Sequence, residues 1–317
     1  MSTVPVRRSG AVGSAAMGAD HEAVRARLGR VGAWTFAFDV RPAGQIRRDV
    51  ADIEAMGYSA LWVPEGSSSR DILAHLGLLL DATERIGIAS GIANITARQP
   101  EVLSAGLRTL ADDTPGRLVA GIGIGHEYST EFRGIPWSGP LARMRQYLDL
   151  MDAATSVPTH EEPLRLLAAL GDGMLRLSAE RALGAHSYFV PVSHTAHARE
   201  VLGPEPVLAV EQGVVVSADP AARAVAREWA RGYLGLPNYA NNLRRMGFSD
   251  ADVEDVSDAL LDATFAFGVD ATVARVREHL EVGADHVCLQ VIADDESDAC
   301  VPQLREIAAA LSLSPTG

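Results

Sequence analysis

From Val31 onward, short apolar runs alternate with stretches whose apolar residues recur every three to four positions, and this alternation constrains the fold more than any other feature. A run of the first kind followed by a stretch of the second, repeated, specifies parallel strands joined by crossover helices. Strands are expected over 31–38, 60–63, 86–95, 118–124, 164–170, 186–190, 207–216 and 286–292. Between them, Ile46, Val50 and Ile53 share a helical face, as do Ile72, Leu76 and Leu79, then Leu103, Leu107 and Leu110, then Leu141, Met144, Leu148 and Met151. Gly57 stands where a helix C-terminus needs unrestricted backbone. Eight β/α units favour a closed (β/α)₈ TIM barrel over an open doubly wound sheet. Both are α/β architectures, and periodicity alone does not decide closure.

The 317 residues, 47% hydrophobic and 22% charged, have the balance of a globular chain with a sizeable core. Residues 1–26 are expected to be a flexible tail and 27–317 one barrel domain. A formal net charge of −13 without a Lys/Arg cluster argues against nucleic-acid or anionic-membrane partners. Cys288 and Cys300 are the only cysteines and form no CxxC spacing, so neither a disulfide framework nor a thiolate zinc site is expected. A cytoplasmic location follows as an expectation, because the apolar stretch near Ala11 to Met17 is broken by Gly13 and Ser14 and does not read as a secretory leader.

In a parallel barrel the functional groups follow the strand C-termini. That rule selects Asp39, Glu65, Asn94, His126-Glu127-Tyr128, Gly171-Asp172-Gly173, the His186 region, Glu211 and Gln212. The run Gly121-Ile122-Gly123-Ile124-Gly125 lets backbone approach a ligand, or equally permits tight strand packing. It is not a GxGxxG, and no helix opens directly from it, so the dinucleotide fingerprint is not met. His126 follows at once and supplies an imidazole able to exchange a proton near neutral pH. Glu65 is a second proton-transfer candidate, or else a helix cap or a partner for Arg70. Gly171-Asp172-Gly173 opens a helix whose backbone N–H groups suit a phosphate, or it is a plain Asp-Gly turn. The Asp172 carboxylate would repel a phosphate unless it points away. His194 and His197 lie three apart, but strand 1 lacks the His-x-His of metal-hydrolase barrels, so a solvated helix or a pocket wall is the better reading than a metal site.

Five stretches carry a resemblance: Val31-Gly32-Ala33-Trp34-Thr35, Leu61-Trp62-Val63-Pro64-Glu65-Gly66, Gly91-Ile92-Ala93-Asn94-Ile95, the segment from Leu236 to Arg245, and Gly283-Ala284-Asp285-His286-Val287. From about Leu28 to Leu313 the chain resembles the F420-dependent oxidoreductases of the luciferase-like monooxygenase superfamily. The resemblance implies a bacterial luciferase-like barrel that binds the deazaflavin coenzyme F420, or alternatively FMN, and passes a hydride to or from a small organic substrate. It implies a non-proline cis peptide at Ser90–Gly91, with Ile92 and Asn94 beside the ring. Ile124, Gly125 and Ser129 would hold the ribityl and phosphate portions, and Gly171, Asp172, Gly173 and Met174 would form the phosphate loop. His126 would exchange the proton with Glu65 assisting, and the protein would be a homodimer. Two departures stand out: relatives carry Asp-His where this chain has Pro64-Glu65, and an acid where it has His126, so acid and base have exchanged places. Asp172 replaces a proline or basic residue, and the Lys/Arg set of sugar-phosphate-oxidising relatives is not recognisable. An FMN monooxygenase and a non-catalytic flavin-binding barrel are the competing readings.

Overall fold

The computed structural model describes residues 14–154, 162–217, 219, 222–293, 295 and 297–314, with the side chains of 14–19 and 132 left aside. Its strands are β1 (Val31–Trp34), β2 (Ala60–Val63), β3 (Gly87–Ser90), β4 (Ala93–Asn94), β5 (Leu118–Gly123), β6 (Leu164–Ala168), β7 (Gly184–Ser187), β8 (Val207–Val215), β9 (Phe265–Phe267) and β10 (His286–Val291). Every pairing is parallel. The order β10-β1-β2-β3-β5-β6-β7-β8 returns from β8 to β10 and closes the ring. β4 continues the place of β3 beside β5, and β9 is appended to the end of β8. The eight-position ring is the closed (β/α)₈ barrel that the alternation of elements favours.

The helices form because their apolar residues line one face and that face is buried. Ile46, Val50 and Ile53 are fully buried in the helix Ala43–Ala55, and Leu103 and Leu107 in Pro100–Asp113. Each such side chain contributes about 1.5–3 kcal/mol by leaving water. Gly57, just past its helix, has φ +92°, and a Cβ there would meet the Ser314 backbone at 2.6 Å. A second core fills the barrel interior, where Trp62 stacks on His186 at 4.4 Å and donates to His286 Nε2 at 3.1 Å. His286 Nδ1 in turn donates to the Gly29 carbonyl at 3.1 Å, which fixes its tautomer. Gly121 makes room for these rings: a Cβ there would stand 2.0 Å from Ser90 O and 3.4 Å from Trp62.

Several expected boundaries move. The expected tail is helical from Ser14 to Leu28, and Val24 and Leu28 are fully buried among interior residues such as Trp62 and Leu166. The barrel's N-terminal end exposes apolar side chains that this helix covers, and Arg25 ties it to Asp285 at 3.0 Å. Residues 1–13 lie outside the described residues. β1 stops at Trp34 because Thr35 Oγ1 accepts from the Ala37 N–H and starts a short 3₁₀ turn, Ala37–Asp39. The expected third strand is broken into β3 and β4, with the cis peptide at Gly91–Ile92 rather than Ser90–Gly91. Ser90 still pairs with Val63, and Gly91 N donates to Val63 O at 2.8 Å, so the ladder holds up to Gly91 and the cis bond falls after it. The segment 126–140, read as loop, holds the helix Glu127–Phe132.

Candidate active site

A cavity of about 700 Å³ opens at the C-terminal ends of the strands. Of the residues expected there, Glu65, Gly91, Ile92, Asn94, Ile124, Gly125, His126, Ser129, Gly171 and Met174 line it; Ser90, Asp172 and Gly173 do not. Ser90 is fully buried, and its hydroxyl donates to the Gly121 carbonyl at 2.8 Å, so it knits β3 to β5 beneath the cavity instead of facing it.

The backbone at the mouth is shaped by absent side chains. Gly125 has φ +72°, and a Cβ there would stand 2.2 Å from Asn94 Nδ2. A Cβ at Gly123 would meet Ile92 at 2.5 Å. These glycines bring the end of β5 against the Gly91–Asn94 segment, so the run permits tight packing, and its last two residues, Ile124 and Gly125, also line the cavity.

Glu65 is held in place rather than free. Its Oε2 accepts from Arg98 Nη1 and from the Asn94 backbone N–H, each at 2.8 Å, and its Oε1 pairs with Arg98 Nη2. The expected alternative partner, Arg70, instead donates to the carbonyls of Phe38 and Arg41. His126 precedes the helix Glu127–Phe132 and is half-buried, with the Tyr128 and Tyr239 rings at 5.8 and 5.6 Å. Burial lowers its pKa below 6.5, and a hydrogen bond with the Asn238 side chain offsets part of that shift. Ser129 Oγ donates to the His126 carbonyl at 2.7 Å and fixes that helix start.

The helix Asp172–Arg181 begins at the cavity with Gly171 as an N-cap that has no capping side chain. Its Asp172 carboxylate is turned to His197 Nε2 at 2.8 Å and Arg176 at 3.1 Å, and the His197 contact chiefly lowers its pKa. The repulsion anticipated from the sequence is thereby directed away from the cavity. His194 bonds the Leu170 carbonyl at 2.9 Å and packs inside the fold. Among the described residues, no three His, Cys, Asp or Glu side chains are placed to hold a metal.

Beyond His126 and Tyr128, the sequence reading did not anticipate that the cavity has an aromatic lining. Phe36, Trp34, Tyr188, Tyr233, Tyr239, His126 and Tyr128 all border the cavity. Consecutive centroids are 4.4, 5.2, 5.4, 5.2, 5.6 and 5.8 Å apart. Tyr188 donates to Gln290 Oε1 at 2.7 Å and shares a 3.1 Å hydroxyl contact with Tyr233. His126 and Tyr128 follow a strand end, and Trp34 and Tyr239 lie in stretches that carry the resemblance, but Phe36, Tyr188 and Tyr233 had no signal in the sequence. Tyr233 comes from the preceding crossover helix, whose position over the mouth no local pattern specifies.

The family model described as luciferase-like monooxygenase matches residues 27–286. The chain is 28% identical over 102 residues to 5,10-methylenetetrahydromethanopterin reductase of Archaeoglobus fulgidus, a stretch covering 32% of this chain and 31% of that protein. It is 24% identical over 280 residues to phthiodiolone/phenolphthiodiolone dimycocerosates ketoreductase of Mycobacterium kansasii, covering 80% and 71%. Among solved structures, an F420-dependent secondary alcohol dehydrogenase in complex with an F420-acetone adduct superposes with TM-score 0.71 at 14% identity, covering 89% of this chain and 98% of that one. The oxygenating constituent of 3,6-diketocamphane monooxygenase from Pseudomonas putida, in complex with FMN, gives 0.64 at 18% identity, covering 90% and 98%.

Proposed function

Since the chain belongs to the luciferase-like monooxygenase family, we propose that it is an F420-dependent oxidoreductase that moves a hydride between coenzyme F420 and a small organic substrate. The observation that carries this reading is the cradle at the cavity floor, where Cβ atoms at Gly91 and Gly125 would collide with Trp34 at 2.5 Å and Asn94 at 2.2 Å, so that only glycine lets backbone form this part of the lining. When bound, the deazaflavin supplies a two-electron hydride carrier. Ile92 and Ile124 would give its ring an apolar surface, and Asn94 a polar edge. Among the described residues no Lys or Arg lines the cavity, so the anionic tail falls to backbone N–H groups at Gly171–Met174, where a helix starts without a side-chain cap. Arg245 stands behind this loop: a Cβ at Gly171 would be 3.8 Å from its Nη2.

His126 is the proton-exchanging group in this proposal. Its burial keeps the imidazole neutral near pH 7, so it takes a proton from a substrate hydroxyl or, in reverse, returns one. Glu65 acts through Arg98 and the Asn94 backbone as a positioning residue.

The test is titration with coenzyme F420 and, separately, FMN, followed by fluorescence. Saturable binding of F420 well below the FMN concentration needed is the expected result. Tight FMN binding with oxygen uptake would replace this reading with a flavin monooxygenase, and binding of neither would discard both.

A further inference from the structure

The aromatic side of the cavity is a continuous wall. It runs from Phe36 through Trp34, Tyr188, Tyr233 and Tyr239 to His126, each ring within 6 Å of the next. Beyond His126 it ends at Tyr128, which is 49% exposed at the mouth. Aromatic faces take flat apolar surfaces well and carry a negative quadrupole that attracts cations. Burial keeps the Tyr188 and Tyr239 phenols protonated, so the wall carries no phenolate charge.

The charges at the cavity are of one sign. Among the described residues, its only ionisable side chains of fixed charge are Glu65, Glu127 and Glu131. Glu65 is neutralised by Arg98. Glu127 and Glu131 are four apart on the helix Glu127–Phe132, so they share a side, and both are exposed. Neither is in an ion pair among the described residues. Apart from the Gly171–Met174 N–H groups and Arg245 behind them, which the proposed cofactor tail would occupy, an anionic substrate meets two carboxylates, whereas a cation meets carboxylates and ring faces together.

We infer that the substrate held by this wall is a planar, largely apolar molecule bearing no negative charge, and that a positively charged substituent is preferred to its neutral isostere. Phosphorylated and carboxylated metabolites are thereby disfavoured as substrates. The inference rests on the cavity being the substrate site of the proposed oxidoreductase, but its recognition chemistry does not depend on which redox carrier is bound.

The experiment uses three aldehydes of one shape: 4-tert-butylbenzaldehyde, 4-(trimethylammonio)benzaldehyde and 4-sulfonatobenzaldehyde. Binding to the full chain is read by quenching of tryptophan fluorescence, with and without saturating F420. The cation should bind about two- to fivefold tighter than the neutral compound, and the anion about tenfold or more weaker. In E127Q/E131Q the advantage of the cation should vanish while the neutral compound binds as before, and Tyr128→Ala should weaken the cation most. Equal or tighter binding of the sulfonate overturns the inference, as does failure of all three to quench a protein whose circular dichroism shows it folded. If the charge order holds but F420 does not bind, the cofactor reading fails and this one stands.

Discussion

Arg98 grips Glu65 through both terminal guanidinium nitrogens, and the same carboxylate accepts the Asn94 N–H at 2.8 Å, so one buried ion pair ties the end of β2 to the segment after β4. The two side chains are only 5% and 10% exposed. Breaking such a pair from one side strands the other charge. Glu65→Gln leaves Arg98 with Asp71 alone, at 3.0 Å. A loss on the order of 3 kcal/mol is expected in urea unfolding, together with weaker cofactor binding. A change under about 0.5 kcal/mol would show that the pair does not anchor the site.

His126 predicts the acid limb of the activity. With its pKa below 6.5, the neutral imidazole needed to accept a proton persists at pH 7 and is lost only as pH falls through that lowered value. Oxidation of substrate should therefore be level on the alkaline side of neutrality and decline as pH falls through that lowered value. His126→Asn should lower turnover by about 10²–10⁴, leave cofactor binding intact, and abolish that limb. An unchanged acid limb in the variant would move the proton transfer to another group.

Gly125→Ala tests the cradle against a control. Gly203 has φ +85° with nothing within 4 Å of a Cβ, whereas Gly125 has φ +72° and Asn94 Nδ2 at 2.2 Å. Both alanines should cost about 1–2 kcal/mol of stability for the left-handed backbone. Only Gly125→Ala should also displace Asn94 and reduce turnover about 100-fold. Equal turnover in the two variants would remove Gly125 from the site.

Long-period features of this fold were legible, and those set by three-dimensional closure were not. The stripe Ile46, Val50, Ile53 and the run Ala60–Val63 appear where their patterns put them, because a helical face or a doubly buried strand writes its period into the chain. β9 has three residues, too few for any period, and exists because Gly213–Val215 of β8 offers it an edge. His126 and Gly125 could be found because sites of parallel barrels follow strand ends. Arg98 and Tyr233 could not: each is defined by what it meets across the mouth.

Five buried histidines predict sensitivity to acid. Burial brings His75, His194 and His286 to about 4, and His186 and His279 to about 3. In the unfolded chain they titrate near 6.5, so below that pH the unfolded state binds more protons. Their stabilising contribution is complete above pH 6.5 and is lost as pH falls, by up to about 1.4 kcal/mol per pH unit for each. Circular dichroism on acidification should show unfolding with a midpoint at about pH 5. A protein still folded at about pH 4 would mean that these rings are not held neutral.

Glu211 gives the opposite slope. It is 1% exposed inside the barrel, its Oε2 accepts only the Phe189 N–H at 2.9 Å, and burial pushes its carboxyl up to about 8. The unfolded chain ionises this group near 4.5, so from there to about 8 the folded state holds a proton that the unfolded state has lost. Its contribution is complete below 4.5 and declines as pH rises, by about 1.4 kcal/mol per unit. Glu211→Gln keeps an acceptor for Phe189 and removes the titration. The variant should therefore gain on the wild type steadily between pH 5 and 8 when thermal midpoints are compared, and parallel curves over that range would mean that the carboxyl is ionised in the folded protein throughout.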